Sequence, residues 1–172
     1  PLFYSDFFLV LPALLYNAGL SLARSYQFLL LLCGFFSAGF MGILTMKISK
    51  RQLAAYFSSF LYIFSLYRLT DIYVRGALGE VLAFVFMPVA LIGIYEVLWA
   101  DNKKWPWLAA GYSGLLLSHT ISFYLMVLSF GVFIIFSHHE LSQQKHRIVA
   151  IVKAVLWSLG LCSFYLWPML EQ

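Results

Sequence analysis

The chain has 172 residues, 63% of them hydrophobic and 10% charged. Soluble domains carry about a quarter charged residues, so this composition excludes an ordinary soluble fold and reads as a multi-pass helical membrane protein. The net charge is +4, but the basic residues fall between apolar runs, which argues for membrane topology rather than for nucleic-acid binding. Cys33 and Cys162 both lie inside apolar runs with no redox or metal spacing. The chain opens on Pro1 inside an aromatic segment, without an initiator Met, and is expected to be a piece of a longer protein.

Phe7 to Leu22 is the first apolar run, broken by Pro12 and by Asn17 and Gly19. It falls short of the roughly 20 residues a span needs and is expected to lie along the membrane surface, with Tyr4, Ser5 or Asp6 capping its start. Gln27 to Met46 is long enough to cross, and Gly34, Ala38 and Gly42 share one face of it in the pattern that admits a close helix neighbour. Lys47, Lys50 and Arg51 follow as a basic loop. Leu53 to Leu66 spans only about 21 Å as a helix, so it is expected to continue towards Thr70 and to carry Arg68 to the interface.

Tyr67 to Glu80 then places Arg68, Asp71, Arg75 and Glu80 between two apolar runs. Each would cost roughly 2.5–3.5 kcal/mol at the bilayer centre, so the stretch belongs at an interface or in a wet cavity. Glu80 to Leu98 is a span with Pro88 at its middle, where a kink is expected. A polar loop with Trp99, Asp101, Lys103, Lys104 and Trp105 follows. Trp107 to Leu117 and Ile121 to Phe136 read as a hairpin of thin helices with His119 near its tip, and His138 to Arg147 as a polar loop. Ile148 to Trp167 is the last span, with Pro168 as its stop.

Alternating spans put the loops at 47–51, 101–104 and 138–147 on one side, with Lys47, Lys50, Arg51, Lys103, Lys104, Lys145 and Arg147. The positive-inside rule makes that side cytoplasmic. The Tyr67–Glu80 stretch and His119 are then external. The expected fold is all-α, a transmembrane bundle in one domain over 1–172, with an external surface helix in 1–24 and about five spans in 25–172.

Within the polar stretch, helical spacing would put Arg68, Asp71 and Arg75 on one face. The plain reading is an interfacial ion-pair ladder beside aromatic-belt tyrosines. The functional reading is two guanidinium groups facing an anionic headgroup, because arginine binds phosphate bidentately and keeps its charge when dry. Glu80, at the start of a span, is either an acid favoured by the helix dipole, a divalent-metal ligand, or an acid that positions an acceptor hydroxyl, and Asp71 has the same options. His119 either satisfies the hairpin backbone or contacts a phosphate or sugar. His138 and His139 are expected to be solvated, Glu96 to pair with Lys103 or Lys104, and Asp6 is a weaker site candidate.

The order Phe3-Tyr4-Ser5-Asp6-Phe7-Phe8, then Tyr67-Arg68 and Asp71-Ile72-Tyr73-Val74-Arg75 through Gly79-Glu80, then Pro88, then Leu117-Ser118-His119, resembles bacterial multi-pass membrane proteins of the GT-C glycosyltransferase superfamily. Within them it is similar to the group labelled "6-pyruvoyl-tetrahydropterin synthase-related" membrane proteins, a label that concerns a name and implies no pterin chemistry here. The resemblance implies transfer of a sugar from a polyprenyl-phosphate donor on the external face of the bacterial cytoplasmic membrane, with inversion. It implies that Glu80, or Asp71 beside it, is the acid of the second external loop, and that the catalytic acid of the first external loop would precede Pro1. On that reading Arg68, Arg75 and His119 hold phosphate, a divalent metal is an option, the partners are the bilayer and the donor lipid, and the piece alone would be inactive. A transporter or flippase of lipid-linked glycans, or a non-catalytic membrane protein, would use the same residues without chemistry.

Overall fold

The computed structural model describes residues 5–170 and is all-α, with no strand among them. Tyr4 lies outside the described residues. A 3-10 turn at Phe7–Leu9 leads into α1 (Val10–Asn17), followed by α2 (Leu22–Ser49), α3 (Gln52–Ile63), α4 (Leu66–Thr70) and a π-helical turn at Asp71–Arg75. Then come α5 (Leu78–Trp99), a 3-10 turn at Asn102–Lys104, α6 (Pro106–Ser118), α7 (Thr120–Phe136), α8 (His138–Gln143), α9 (Lys145–Leu161) and α10 (Ser163–Leu170).

Helix α5 is the axis of the molecule. Its side chains are apolar all round and mostly buried, as expected of a helix enclosed by others. It packs against α6 at backbone distance because glycines line the seam. A Cβ on Gly93 would stand 2.3 Å from the Leu108 backbone, one on Gly111 2.4 Å from that of Ala90, and one on Gly114 2.1 Å from the Phe86 ring. Helix α2 lies against α5 and α3, and the face anticipated from Gly34, Ala38 and Gly42 is the one α3 uses. Ser59 of α3 donates to the Ala38 carbonyl at 2.8 Å, and a Cβ on Gly42 would meet that hydroxyl.

Pro88 lies inside α5, which runs through it unbroken. Proline has no N–H, so the Phe84 carbonyl loses its donor four residues on. The Tyr62 hydroxyl of α3 supplies one, at 2.9 Å. This is how apolar bundles tolerate an internal proline, with a neighbouring helix re-satisfying the freed group.

Two helices, α2 and α5, are long and apolar enough to cross a membrane. Large hydrophobic side chains are exposed on α2, α3, α7 and α9, among them Phe35, Phe57, Phe136 and Trp157.

Several boundaries differ from expectation. Helix α2 starts at Leu22 rather than Gln27, because Gly19 turns the chain at φ 100° and the Ser21 hydroxyl accepts from the Arg24 N–H as a cap. The run from Leu53 does not continue to Thr70. It ends at Ile63 and restarts at Leu66. The polar stretch 138–147 is helix α8 and the start of α9 rather than a loop, and His138 and His139 are exposed on it. The last apolar run breaks at Cys162, and Pro168 sits inside α10 instead of stopping it.

Candidate functional site

Gly79 sets the geometry of the N-terminal end of α5. A Cβ there would stand 2.8 Å from the Ser118 carbonyl, so only glycine lets the first turn of α5 press against the end of α6. That contact brings Glu80 to the α6–α7 junction. His119 is the junction residue, extended at φ −152°, and caps α7 by accepting from the Ser122 N–H at 3.3 Å, with the Ser122 hydroxyl 2.8 Å from Nδ1. The hairpin with His119 at its turn stands as anticipated.

The π turn shapes the other wall. A π turn takes an extra residue, so side chains beyond it rotate off the α-helical face. The Ala77 N–H closes the turn on the Asp71 carbonyl at 2.9 Å, and Gly76 adopts φ 62°, the left-handed conformation that favours glycine. Arg75 thereby folds back over Asp71 and reaches Glu80. Its Nη1 lies 2.7 Å from Asp71 Oδ1 and 3.1 Å from Glu80 Oε2, and its Nη2 lies 2.6 Å from Glu80 Oε1. The fork on Glu80 is bidentate. The Tyr67 hydroxyl donates to Glu80 Oε2 and accepts from Arg75 at 3.3 Å, and the guanidinium carbon stands 5.9 Å from the Tyr67 ring centre.

Charge is unevenly distributed in this cluster. Asp71 is fully buried while Arg75 is 47% exposed. Burial, then the neighbouring charge of Glu80, push the Asp71 carboxyl above its usual range, and the ion pair with Arg75 opposes them. The Asp71 Oδ2 is buried with no hydrogen-bond partner among the described residues. The hydrogen bonds to Glu80 and Tyr67 hold the Arg75 guanidinium firmly protonated.

A cavity of about 390 Å³ opens beside this cluster. It is lined by Ser5, Asp6, Phe8 and Leu9 from the N-terminal segment, Arg75 and Ala77 from the π turn, Gly79, Glu80 and Leu82 from α5, and Ser118 and His119 from the hairpin. The N-terminal segment is pinned over it by Phe8, whose ring packs at a tilt, 5.2 Å between centres, against Phe86 of α5.

Arg75, Glu80 and His119 thus converge, and Asp6 joins them. Arg68 does not. It was expected at the interface on the same face as Arg75, but the helix break after Ile63 and the π turn shift it inward. It is buried, its Nη1 donates to the Ile63 carbonyl at 3.1 Å, and its Nη2 would stand 3.6 Å from a Cβ on Gly34. It makes no ion pair among the described residues, and it does not line the cavity. The pair of arginines expected on phosphate is therefore a single arginine. Asp71 is beneath that arginine and does not line the cavity either.

Tyr67 was read as a belt residue, yet it bonds both members of the Arg75–Glu80 pair. Its signal was the spacing Tyr67, Asp71, Arg75 at every fourth residue. For a metal, the described residues offer no group of three or more His, Cys, Asp or Glu that could hold an ion, so Glu80 and Asp71 lack a complete ligand set.

No family model, curated protein or solved structure matches the chain.

Proposed function

We propose that this chain is part of an integral membrane glycosyltransferase-like protein that binds a polyprenyl-phosphate-linked sugar at the outer end of α5. The observation that carries the reading is the convergence of Asp6, Arg75, Glu80 and His119, from four separate parts of the chain, on one cavity. That cavity lies at the opposite end of a membrane-length helix from Lys47, Lys104 and Arg147, which gather around the α5 C-terminus. The basic end is cytoplasmic by the positive-inside rule, so the cavity faces outward. In this reading α2, α3 with α4, α5, the α6–α7 hairpin and α9 with α10 form a bundle of about five spans, and Phe7–Asn17 lies along the outer surface.

The residues divide the work. Glu80, held by Arg75 and Tyr67, presents a carboxylate that positions an acceptor hydroxyl. Arg75 is half-exposed and keeps N–H donors directed away from its two carboxylates, so it meets the lipid phosphate from one side. His119 forms the opposite wall. Asp71 fixes Arg75 from below and acts through it.

The test is sugar transfer from polyprenyl-phosphate donors in membranes that carry the protein, comparing wild type with Arg75→Ala and Glu80→Gln. Both variants are expected to insert and to lose transfer. Undiminished transfer in both overturns the site. Unchanged donor binding with no transfer in the wild type favours a carrier of lipid-linked glycans.

A further inference from the structure

The charges of the cavity do not balance. Asp71 and Glu80 share one arginine, which leaves that cluster at a formal charge of −1. Asp6 adds a second negative charge from the N-terminal wall, and its carboxylate makes no side-chain hydrogen bond to the turn it precedes and no ion pair among the described residues. Asp6, Glu80 and Arg75 on the walls, with Asp71 beneath Arg75, therefore sum to a formal −2 beside a space of about 390 Å³. Glu80 is shielded from water, with only 12% of its side chain exposed. A negative charge held in so sheltered a place attracts a cation more strongly than the same charge on open surface.

A phosphate alone uses the donors that Arg75 keeps free and leaves the charge of Asp6 and Glu80 unanswered. A ligand carrying an ammonium group beside its phosphate fits both parts. The ammonium lies between Asp6 and Glu80, each an acceptor for its N–H donors, while the phosphate reaches the free side of Arg75. We infer that the cavity recognises a primary amine, carried by the sugar of a lipid-linked donor or by an ethanolamine phospholipid. The inference rests on the lipid-phosphate reading above for its first source and not for its second.

The experiment measures dissociation constants for the purified protein with four probes: polyprenyl-phosphate glucosamine, polyprenyl-phosphate glucose, phosphatidylethanolamine and phosphatidylglycerol. The glucosamine lipid is expected to bind at least tenfold tighter than the glucose lipid, with the preference reduced severalfold in Asp6→Asn and restored in Asp6→Glu. Asp6 contributes only its backbone carbonyl to the local turn, so Asp6→Asn is expected to fold. Equal binding of the two sugar lipids overturns the amine inference and leaves the lipid-linked-sugar reading standing. Ethanolamine lipid favoured over glycerol lipid, with neither sugar lipid bound, supports the amine and overturns the sugar donor. Absence of binding by all four overturns both.

Discussion

The N-terminal end of α5, the outer one in the proposed topology, and its C-terminal, inner end each carry a carboxylate held by cations, and the two clusters differ in how their charge is met. At the outer end two acids, Asp71 and Glu80, share one arginine. At the inner end two acids meet two lysines: Glu96 pairs with Lys47 from the end of α2 and with Lys104 at 3.6 Å from the turn after α5, and Lys104 also stands 4.0 Å from Asp101. Glu96 also accepts from the Asp101 N–H at 3.2 Å, and Arg147 at the start of α9 caps the α5 carbonyl of Val97 at 2.7 Å. The inner cluster ties four segments together and buries Glu96 at their meeting point, with Lys104 half in solvent. The outer cluster opens onto a cavity and keeps one carboxylate oxygen without a hydrogen-bond partner among the described residues. Two acids set against two lysines have their charge balanced and fit a structural staple. Two carboxylates on one arginine leave charge over, which is what a ligand site needs.

The sharpest test of that contrast is to neutralise one acid at each end. Glu80→Gln is expected to lower transfer by roughly 100-fold or more, the scale of removing a positioned acid or base, with little change in thermal midpoint. Glu96→Gln is expected to lower the midpoint while activity per folded molecule stays near wild type. Activity lost equally in both would make the outer cluster as structural as the inner one.

The next effect is on stability alone. Lys47→Met leaves Glu96, only 3% exposed, with Lys104 as its remaining cation. A buried charge stripped of its partner costs about 3–5 kcal/mol, and Lys104 offsets part of that, so a loss of about 2–3 kcal/mol is expected in denaturation from detergent. A loss below about 0.5 kcal/mol would place the staple among ordinary surface pairs.

Much of the outer site was legible because its parts are local. Glu80 after Gly79 and His119 between two apolar runs are readable from spacing, and so is the small-residue face of α2. Arg68 was not, because its place depends on a helix break and a π turn that hydropathy does not register. Helical spacing defines one face only along a continuous helix, and two irregularities within twelve residues, at Phe64–Ser65 and Asp71–Arg75, interrupt it. Lys47 was not legible as the partner of Glu96 either, since the two are 49 residues apart and only the packing of α2 on α5 joins them. Lys104, near in sequence, was anticipated, while Lys103 makes no ion pair among the described residues.

Between the two ends, Tyr62→Phe tests whether the middle of α5 is held by satisfaction of its backbone rather than by charge. The change removes the one hydroxyl that serves the Phe84 carbonyl above Pro88. A loss of about 1–2 kcal/mol is expected, smaller than Lys47→Met because a neutral acceptor is left unpaired in place of a charge. Replacing Pro88 by Ala in the same background restores the donor and is expected to recover most of the loss.

The smallest effect is the most direct probe of the excess charge. Burial and the charge of Glu80 hold the Asp71 carboxyl above its ordinary range despite Arg75. A carboxyl whose pKa is higher folded than unfolded stabilises the fold when protonated. That contribution is complete below the unfolded value of about 3.9 and is lost as pH rises through the folded value. Ionised Asp71 is therefore a net cost at neutral pH. Asp71→Asn cannot ionise, so its stability relative to wild type is expected to be most favourable near pH 7 and to fall behind as pH drops towards 4. Glu80, Arg75 and Tyr67 face Asp71 in both proteins, so their own contributions largely cancel in the difference. A wild-type advantage that grows with pH instead would mean that Arg75 more than compensates the buried carboxylate. The outer cluster would then carry no unsatisfied charge, and the distinction between the two ends of α5 would rest on the cavity alone.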